Sequence, residues 1–196
     1  MNQSTLLGFF KSACLFEASL ILLALILGWL VDINPIATLS FSFIPLFYGV
    51  IGTIPLMVMF FVMDRIQRNS VTDIRNLLLN TLGPGLRDCH WTDLLILALI
   101  AGVSEELLFR GVIQPWMDDL WGTTIALIAS NVIFGLVHAV TPLYAVLAMV
   151  VGVYLSLSVN FGGETNLLIP ILIHSLYDFF AFVLLIRNFR SRLIVS

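Results

Sequence analysis

Charge is scarce in this chain: only 11% of its 196 residues are Asp, Glu, Lys or Arg, whereas 60% are hydrophobic. Ordinary soluble domains carry about 25% charged residues, so the composition excludes an ordinary soluble domain. With so few basic residues, we also expect no nucleic-acid partner. Cysteine is scarce as well. Cys14 lies in an apolar stretch and Cys89 in a polar one, which excludes a disulfide framework.

Long uncharged runs are what the sequence does contain. A run of about 20 apolar residues can cross a bilayer as a helix. The pattern predicts an all-α fold, a polytopic transmembrane helical bundle of about six spans. The predicted spans are residues 11–30, 43–63, 93–113, 121–139, 143–159 and 167–186.

A polar linker, residues 64–93, separates the second predicted span from the third. Its segment VTDIRNLLLNTL is predicted to form a short amphipathic helix on the membrane surface, ended by a break at LGPG. We therefore divide the chain into two parts. Residues 1–92 hold two transmembrane helices and a cytoplasmic linker, and residues 93–196 form a four-helix core.

The basic residues indicate an orientation. In the six-span arrangement they share one side, while the loops on the other side carry only acids. The positive-inside rule then predicts that both termini are cytoplasmic. The basic residues concerned are Lys11, Arg65, Arg68, Arg75, Arg87, Arg187, Arg190 and Arg192, and the acids are Asp32, Asp118, Asp119 and Glu164.

Three charged residues interrupt the apolar third span, in the segment AGVSEELLFR. A charged side chain at the centre of a bilayer costs roughly 2.5–3.5 kcal/mol. Glu106 and Arg110 are four residues apart, so they can neutralise each other or take part in chemistry. Glu105 points about 100° away from Glu106 and can face a different neighbour.

Two of the three histidines also lie in predicted spans. His138 shares a helix face with Asn131, and His174 has Asp178 four residues later. A single such histidine often serves only as an interhelical donor, worth about 1 kcal/mol. Taken together, carboxyls and imidazoles on three separate helices indicate a site around water or substrate. Glu17 lies near the end of a predicted helix, so we assign it no role.

This combination of groups is suited to hydrolysis. Glu105 beside His138 could take a proton from water and return it to a leaving group, while His174 could donate to an oxyanion. No Ser or Cys lies in a nucleophile motif. Glu105, His138 and His174 could instead hold a divalent metal such as zinc, although H-E-x-x-H is absent. The question of a metal stays open at this point.

Three short motifs occur in order on successive hydrophobic segments. EELLFR fits E-E-x-x-x-R, FGLVH fits F-x-x-x-H, and HSLYD fits H-x-x-x-[N/D]. The set resembles the CAAX-protease and bacteriocin-processing family, also called CPBP or Abi, of intramembrane endopeptidases. The resemblance covers about residues 93–187. It implies that residues 93–196 are the catalytic core of a multi-pass protein of a bacterial cell membrane.

The resemblance also implies residue roles. Glu105 would activate the water together with His138, and His174 with residue 178 would form the oxyanion site. Glu106 and Arg110 would support the first motif, and we add Asn131 to these supporting residues. The substrate would be a membrane-embedded or lipidated peptide surrounded by membrane lipids. The family has been described both as metalloproteases and as glutamate-dependent enzymes without metal.

One position departs from the family pattern. Asp178 stands where members that process prenylated proteins usually carry Asn. An ionised Asp cannot donate to an oxyanion, so we expect Asp178 to orient His174 or to be protonated. This departure weakens a specific assignment of prenylated substrates.

Two other functions remain as alternatives to a peptidase. A proton-coupled transporter component could use the same groups as a relay, but the chain has no repeat that pairs two halves. A non-catalytic assembly or immunity factor could use them for packing alone. Ala148, Gly152 and Ser156 recur at intervals of four, and we interpret them as an internal helix-packing face.

The predicted boundaries raise one geometric difficulty. They place Glu105 roughly 18 Å from the cytoplasmic edge and His138 only a few ångströms from it. A third span shifted toward Met117, a tilted fourth helix or a cytoplasm-facing water cavity would each bring the two together.

Overall fold

The computed structural model describes residues 3–66 and 68–195, with side chains described for residues 8–66 and 68–193. These residues form helices and no strands, which confirms the all-α prediction. The helices are α1 (Gln3–Leu30), α2 (Phe43–Arg65), α3 (Asn69–Leu86), α4 (Trp91–Leu108), α5 (Gln114–Trp121), α6 (Thr123–Val137), α7 (Pro142–Ser158) and α8 (Leu168–Val195). A π-helical turn, Phe109–Ile113, joins α4 to α5.

The outside of the bundle is suited to lipid. Within the described residues, α1, α2 and α8 are long and apolar enough to cross a membrane, over Gly8–Leu30, Phe43–Arg65 and Leu168–Leu193. α6 and α7 are apolar but shorter. Large hydrophobic side chains point outward, among them Trp29 at 81% exposed and Phe43 at 78%. α4, the π-helical turn and α5 together form one continuous helical rod. With this rod, the helices account for the predicted spans, about six in number.

Two predicted boundaries were wrong. The third span continues through the π-helical turn and α5, so the helical rod extends from Trp91 to Trp121 instead of ending at residue 113. LGPG does not break the linker helix, because α3 continues through Pro84 to Leu86. The glycines on either side of Pro84 are covered by the rings of Phe9 and Phe189, and this packing holds the segment in place.

α4 and α8 pack against each other, with α1 on α4 and α2 on α8. The approach of α4 to α8 is close at Gly102, where a Cβ atom would collide with Ser175 Oγ. Gly102 lies one turn before Glu105 and Glu106, and Ser175 follows His174 directly. The absence of a side chain at Gly102 therefore brings the two glutamates and His174 to one interface.

The start of α8 is fixed by Asn166. Its Oδ1 accepts a hydrogen bond of 2.9 Å from the Leu168 amide, as a helix cap does. Its Nδ2 donates to the Ser40 carbonyl at 3.0 Å, which ties α8 to the segment before α2. This double attachment sets the position of α8 relative to the rest of the bundle.

Candidate active site

Arg110 lies at the centre of a buried polar network behind the site. Its Nη1 donates to Glu106 Oε1 at 3.0 Å, and the two side chains are only 1% and 0% exposed. Its Nη2 donates to Asn131 Oδ1 at 3.0 Å and to the Gly152 carbonyl at 2.6 Å. Its Nε donates to Ser156 Oγ at 3.3 Å. A buried ion pair needs such additional hydrogen bonds to offset its desolvation.

Two of the three small residues spaced by four on α7, Gly152 and Ser156, belong to this network. This agrees with their interpretation as part of an internal helix-packing face. A Cβ atom at Gly152 would lie 2.5 Å from Asn131 Oδ1, so only glycine allows this approach. Ser156 Oγ accepts from Asn131 Nδ2 at 2.9 Å and donates to Gln114 Oε1 at 2.7 Å. The spacing of four pointed to Gly152 and Ser156 as packing residues, whereas nothing in the sequence singled out Gln114.

His174 is held by Glu106 across the α4–α8 interface. Its Nδ1 lies 2.8 Å from Glu106 Oε1, and both side chains are buried. Since a carboxylate that already accepts from Arg110 can only accept, Nδ1 carries the proton and donates. Nε2 then faces Asp178 Oδ2 at 3.6 Å and Glu105 Oε2 at 3.9 Å.

His138 approaches Glu105 from the opposite side. His138 is the C-cap residue that directly follows α6. The predicted fourth span, residues 121–139, placed it inside the helix, whereas it lies just beyond the helix end. Its Nδ1 donates to the Phe134 carbonyl at 2.8 Å. Its Nε2 lies 3.5 Å from Glu105 Oε2. Glu105 Oε2 is shielded from solvent and has no hydrogen-bond partner among the described residues.

Phe134 packs between the polar network and the imidazoles. The centroid of its ring lies 4.5 Å from that of His138 and 6.3 Å from that of His174. The Arg110 guanidinium carbon lies 4.8 Å from the same centroid, within cation–π range. The phenylalanine of F-x-x-x-H thus keeps Arg110 apart from the two histidines and restricts their rings.

The four residues predicted to be catalytic line one cavity of about 410 Å³: Glu105, His138, His174 and Asp178. The predicted supporting residues, Glu106, Arg110 and Asn131, lie behind this wall, in the buried network. The cavity is otherwise largely apolar and extends past α2 and α8 as far as Asp64 and Asn188. Both parts of the chain, residues 1–92 and 93–196, contribute to its lining.

Sequence reasoning assigned no role to two acidic residues that line the cavity, Glu17 and Asp64. Glu17 lies in the middle of α1, not near a helix end, and it lines the same cavity as Glu105. Its Oε2 is shielded from solvent and has no hydrogen-bond partner among the described residues. The sequence did offer a signal, since Glu17 is a lone acid in an apolar helix. The predicted span began at residue 11, however, and so placed Glu17 close to the edge of the membrane.

The structure does not support the alternative in which Glu105, His138 and His174 bind a metal. Among the residues that it describes, no group of three or more His, Cys, Asp or Glu side chains is arranged to hold a metal ion. The chemistry of the site is therefore assigned to the side chains themselves.

These features define a membrane-embedded helical bundle with a buried acid–imidazole site. A family model described as Rce1-like, Type II CAAX prenyl endopeptidase Rce1-like, matches residues 88–180, a stretch that contains all three motifs. No curated protein and no solved structure matches the chain. The match agrees with the resemblance: residues 88–180 are similar to the Type II CAAX prenyl endopeptidases of the CAAX-protease family. The apolar helices and this match together indicate an integral membrane protein in which residues 88–180 are similar to a CAAX-type intramembrane endopeptidase.

Proposed function

We propose that the protein hydrolyses a peptide bond of a membrane-associated substrate with a water molecule activated by Glu105 and His138. A single observation carries this proposal. Glu105 Oε2 is shielded from solvent, lacks a hydrogen-bond partner in the described structure and faces His138 Nε2 at 3.5 Å inside the cavity. Both atoms can accept a hydrogen bond, and a water seated in the cavity beside the pair, about 2.8 Å from each atom, would donate to both.

The reaction follows from these positions. The water oxygen attacks the carbonyl carbon of the peptide while Glu105 accepts one of its protons. The carbonyl oxygen becomes an oxyanion in the tetrahedral intermediate. When the carbon–nitrogen bond breaks, Glu105 returns the proton to the leaving amine. His138 holds the water, because its Nδ1–H donates a hydrogen bond to the Phe134 carbonyl and its Nε2 remains free to accept one from the water.

His174 stabilises the oxyanion through Nε2. Since Nδ1 already donates to Glu106, Nε2 can donate only if the ring is doubly protonated. Asp178 Oδ2, 3.6 Å from Nε2, favours that imidazolium through its negative charge. The carboxylate at position 178 therefore acts through His174, as a positioning residue, and need not donate to the oxyanion itself.

Glu106, Arg110 and Asn131 are positioning residues as well. Glu106 fixes the ring of His174, Arg110 holds Glu106, and Asn131 holds Arg110. None of the three lines the cavity, so none contacts the substrate. A chain of charge-assisted hydrogen bonds of this kind keeps a reacting group within the narrow tolerance that catalysis requires.

The substrate we propose is a membrane-embedded or lipidated peptide, because most of the cavity lining is apolar. The cavity extends to Asp64 and Asn188, at the end of the bundle where Arg65 and Arg187 also lie. Under the positive-inside rule this end is cytoplasmic, with both termini on that side. The substrate would then enter from the cytoplasmic half of the membrane.

The decisive experiment compares membrane peptides from cells that express either the wild-type protein or Glu105→Gln. We expect cleavage products that disappear in the variant, with a loss of at least 100-fold in purified turnover, while the helical content stays the same. Glu164→Gln, which changes an exposed acid in a loop, is the matched control and should behave as wild type. Products that persist in Glu105→Gln would refute the proposal.

A further inference from the structure

Glu17 and Asp64 are the acids of the cavity that the proposed hydrolysis does not use, and Asp64 is already paired with Arg75. Phe9, Ala13 and Glu17 are spaced by four on α1, and all three line the cavity. The carboxyl of Glu17 is close enough to interact electrostatically with Glu105 and Asp178. It therefore shares a cavity with the reacting groups, on a helix outside the family match to residues 88–180.

None of the ion pairs between described residues includes Glu17. Asp64 and Arg75, farther along the cavity, form a pair of their own at 3.2 Å. Near the reacting groups there are three carboxyls, Glu17, Glu105 and Asp178, but only two imidazoles. Even with both rings protonated, one acid remains uncompensated.

Two carboxylate oxygens at this place also lack partners. Glu105 is only 8% exposed, and its Oε2 has no hydrogen-bond partner in the described structure; Glu17 Oε2 is shielded and unpartnered in the same sense. The water of the proposed mechanism satisfies Glu105. No described residue donates a hydrogen bond to Glu17 Oε2, and an unpaired carboxylate in an apolar wall is costly. A cation supplied by the substrate would offset that cost.

We propose that Glu17 is a specificity-determining residue whose carboxylate binds the cationic side chain of a lysine or arginine close to the cleaved bond. This inference rests on the proposed peptidase function. A cationic partner fits better than a neutral amide donor, because the cavity carries an excess of negative charge as well as an unpartnered acceptor. The apolar lining would hold the rest of the substrate segment.

The test uses the full-length protein in vesicles of phosphatidylglycerol with a library of synthetic transmembrane peptides. The library is randomised around the boundary between the apolar segment and the polar tail, and products are read by mass spectrometry. For the wild type we expect Lys or Arg within three residues of the cleaved bond at least five times more often than in the library. Glu17→Gln, which has the same shape without the charge, should reduce this enrichment to below twofold, and Glu17→Lys should favour acidic residues.

Two matched variants serve as controls. Asp64→Asn removes another cavity acid, one already paired with Arg75, and should keep the wild-type enrichment. Ser19→Ala changes an exposed residue of α1 and should do the same. Equal enrichment in wild type and Glu17→Gln would overturn the proposal, as would loss of all cleavage in a folded Glu17→Gln protein.

A binding measurement separates this inference from the peptidase proposal. Two fluorescent transmembrane peptides, one with lysine and one with norleucine at the same site, are titrated against wild type and Glu17→Gln. We expect the lysine peptide to bind at least five times more tightly to wild type, and the difference to vanish in the variant. If the lysine and norleucine peptides bound the wild-type protein with equal affinity, the role of Glu17 would be overturned, whether or not the protein cleaves peptides. Absence of any Glu105-dependent cleavage would overturn only the peptidase function.

Discussion

Glu106 and His174 are joined by a hydrogen bond of 2.8 Å that crosses from α4 to α8. The same carboxylate oxygen accepts from Arg110 at 3.0 Å. Glu106 therefore links the buried network behind the site to an imidazole that faces the cavity. The first motif thus has two separate tasks, since Glu105 reaches the cavity and its neighbour holds the ring.

Glu106→Ala should lower both stability and activity. The change leaves Arg110 as a buried charge without its carboxylate, and breaking a buried pair costs about 3–5 kcal/mol. It also releases Nδ1 of His174, so we expect turnover to fall at least 100-fold. Denaturant unfolding in detergent and cleavage of a library peptide measure the two effects.

The matched control for Glu106→Ala is Asp88→Ala. Asp88 pairs with Arg87 at 3.2 Å, but this pair is exposed. Exposed pairs contribute about 0–1 kcal/mol, so stability and turnover should stay near the wild-type values. Equal stability losses in the two variants would contradict the role given to Glu106.

Asp178→Ala and Asp178→Asn should differ. Without a carboxylate beside Nε2, Ala leaves the charge of His174 uncompensated, and we expect turnover to fall about 10- to 100-fold. Asn loses the charge as well but can donate its own amide hydrogen to the oxyanion, so it should retain more activity than Ala. The measurement is kcat for one library peptide. Equal kcat values for Ala and Asn would show that position 178 acts only through its charge.

The fold class and the residues that meet in the cavity could be predicted from the sequence for clear physical reasons. Apolar runs of membrane length leave few alternatives to helices, since backbone groups in lipid must be satisfied within the chain. Polar residues in such helices are costly, so Glu105, His138, His174 and Asp178 stood out against their surroundings. Their functional roles stay predictions.

Depth and tertiary contact could not be read from the same pattern. The predicted spans separated Glu105 from His138 along the bundle, yet their facing atoms lie 3.5 Å apart. The longer α4–α5 rod agrees with a third span shifted toward Met117. Gln114 and Glu17 were missed because their importance depends on which helix packs beside them, and local spacing does not encode that.

Chelation should not inactivate the protein. The described residues offer no group arranged to bind a metal, and the proposed water is held by Glu105 and His138 alone. We expect turnover with EDTA or 1,10-phenanthroline to stay within twofold of the untreated protein. A known zinc peptidase, treated alongside, verifies that the chelators act under the assay conditions. Inactivation that added zinc reverses would contradict the metal-free mechanism.

Gly102→Ala should separate α4 from α8. The added methyl group would collide with Ser175 Oγ and lie 2.8 Å from the Ser175 backbone nitrogen, which a change of rotamer cannot relieve. Forcing extra volume into a packed interface costs about 1–3 kcal/mol, and the contact of Glu106 with His174 should lengthen. We expect a lower midpoint of unfolding and at least a 10-fold loss of turnover. Gly8→Ala is the control, because a Cβ atom there meets nothing within 4 Å and alanine favours a helix. If Gly102→Ala matched Gly8→Ala in both measurements, the close approach of α4 to α8 would not be what positions the site.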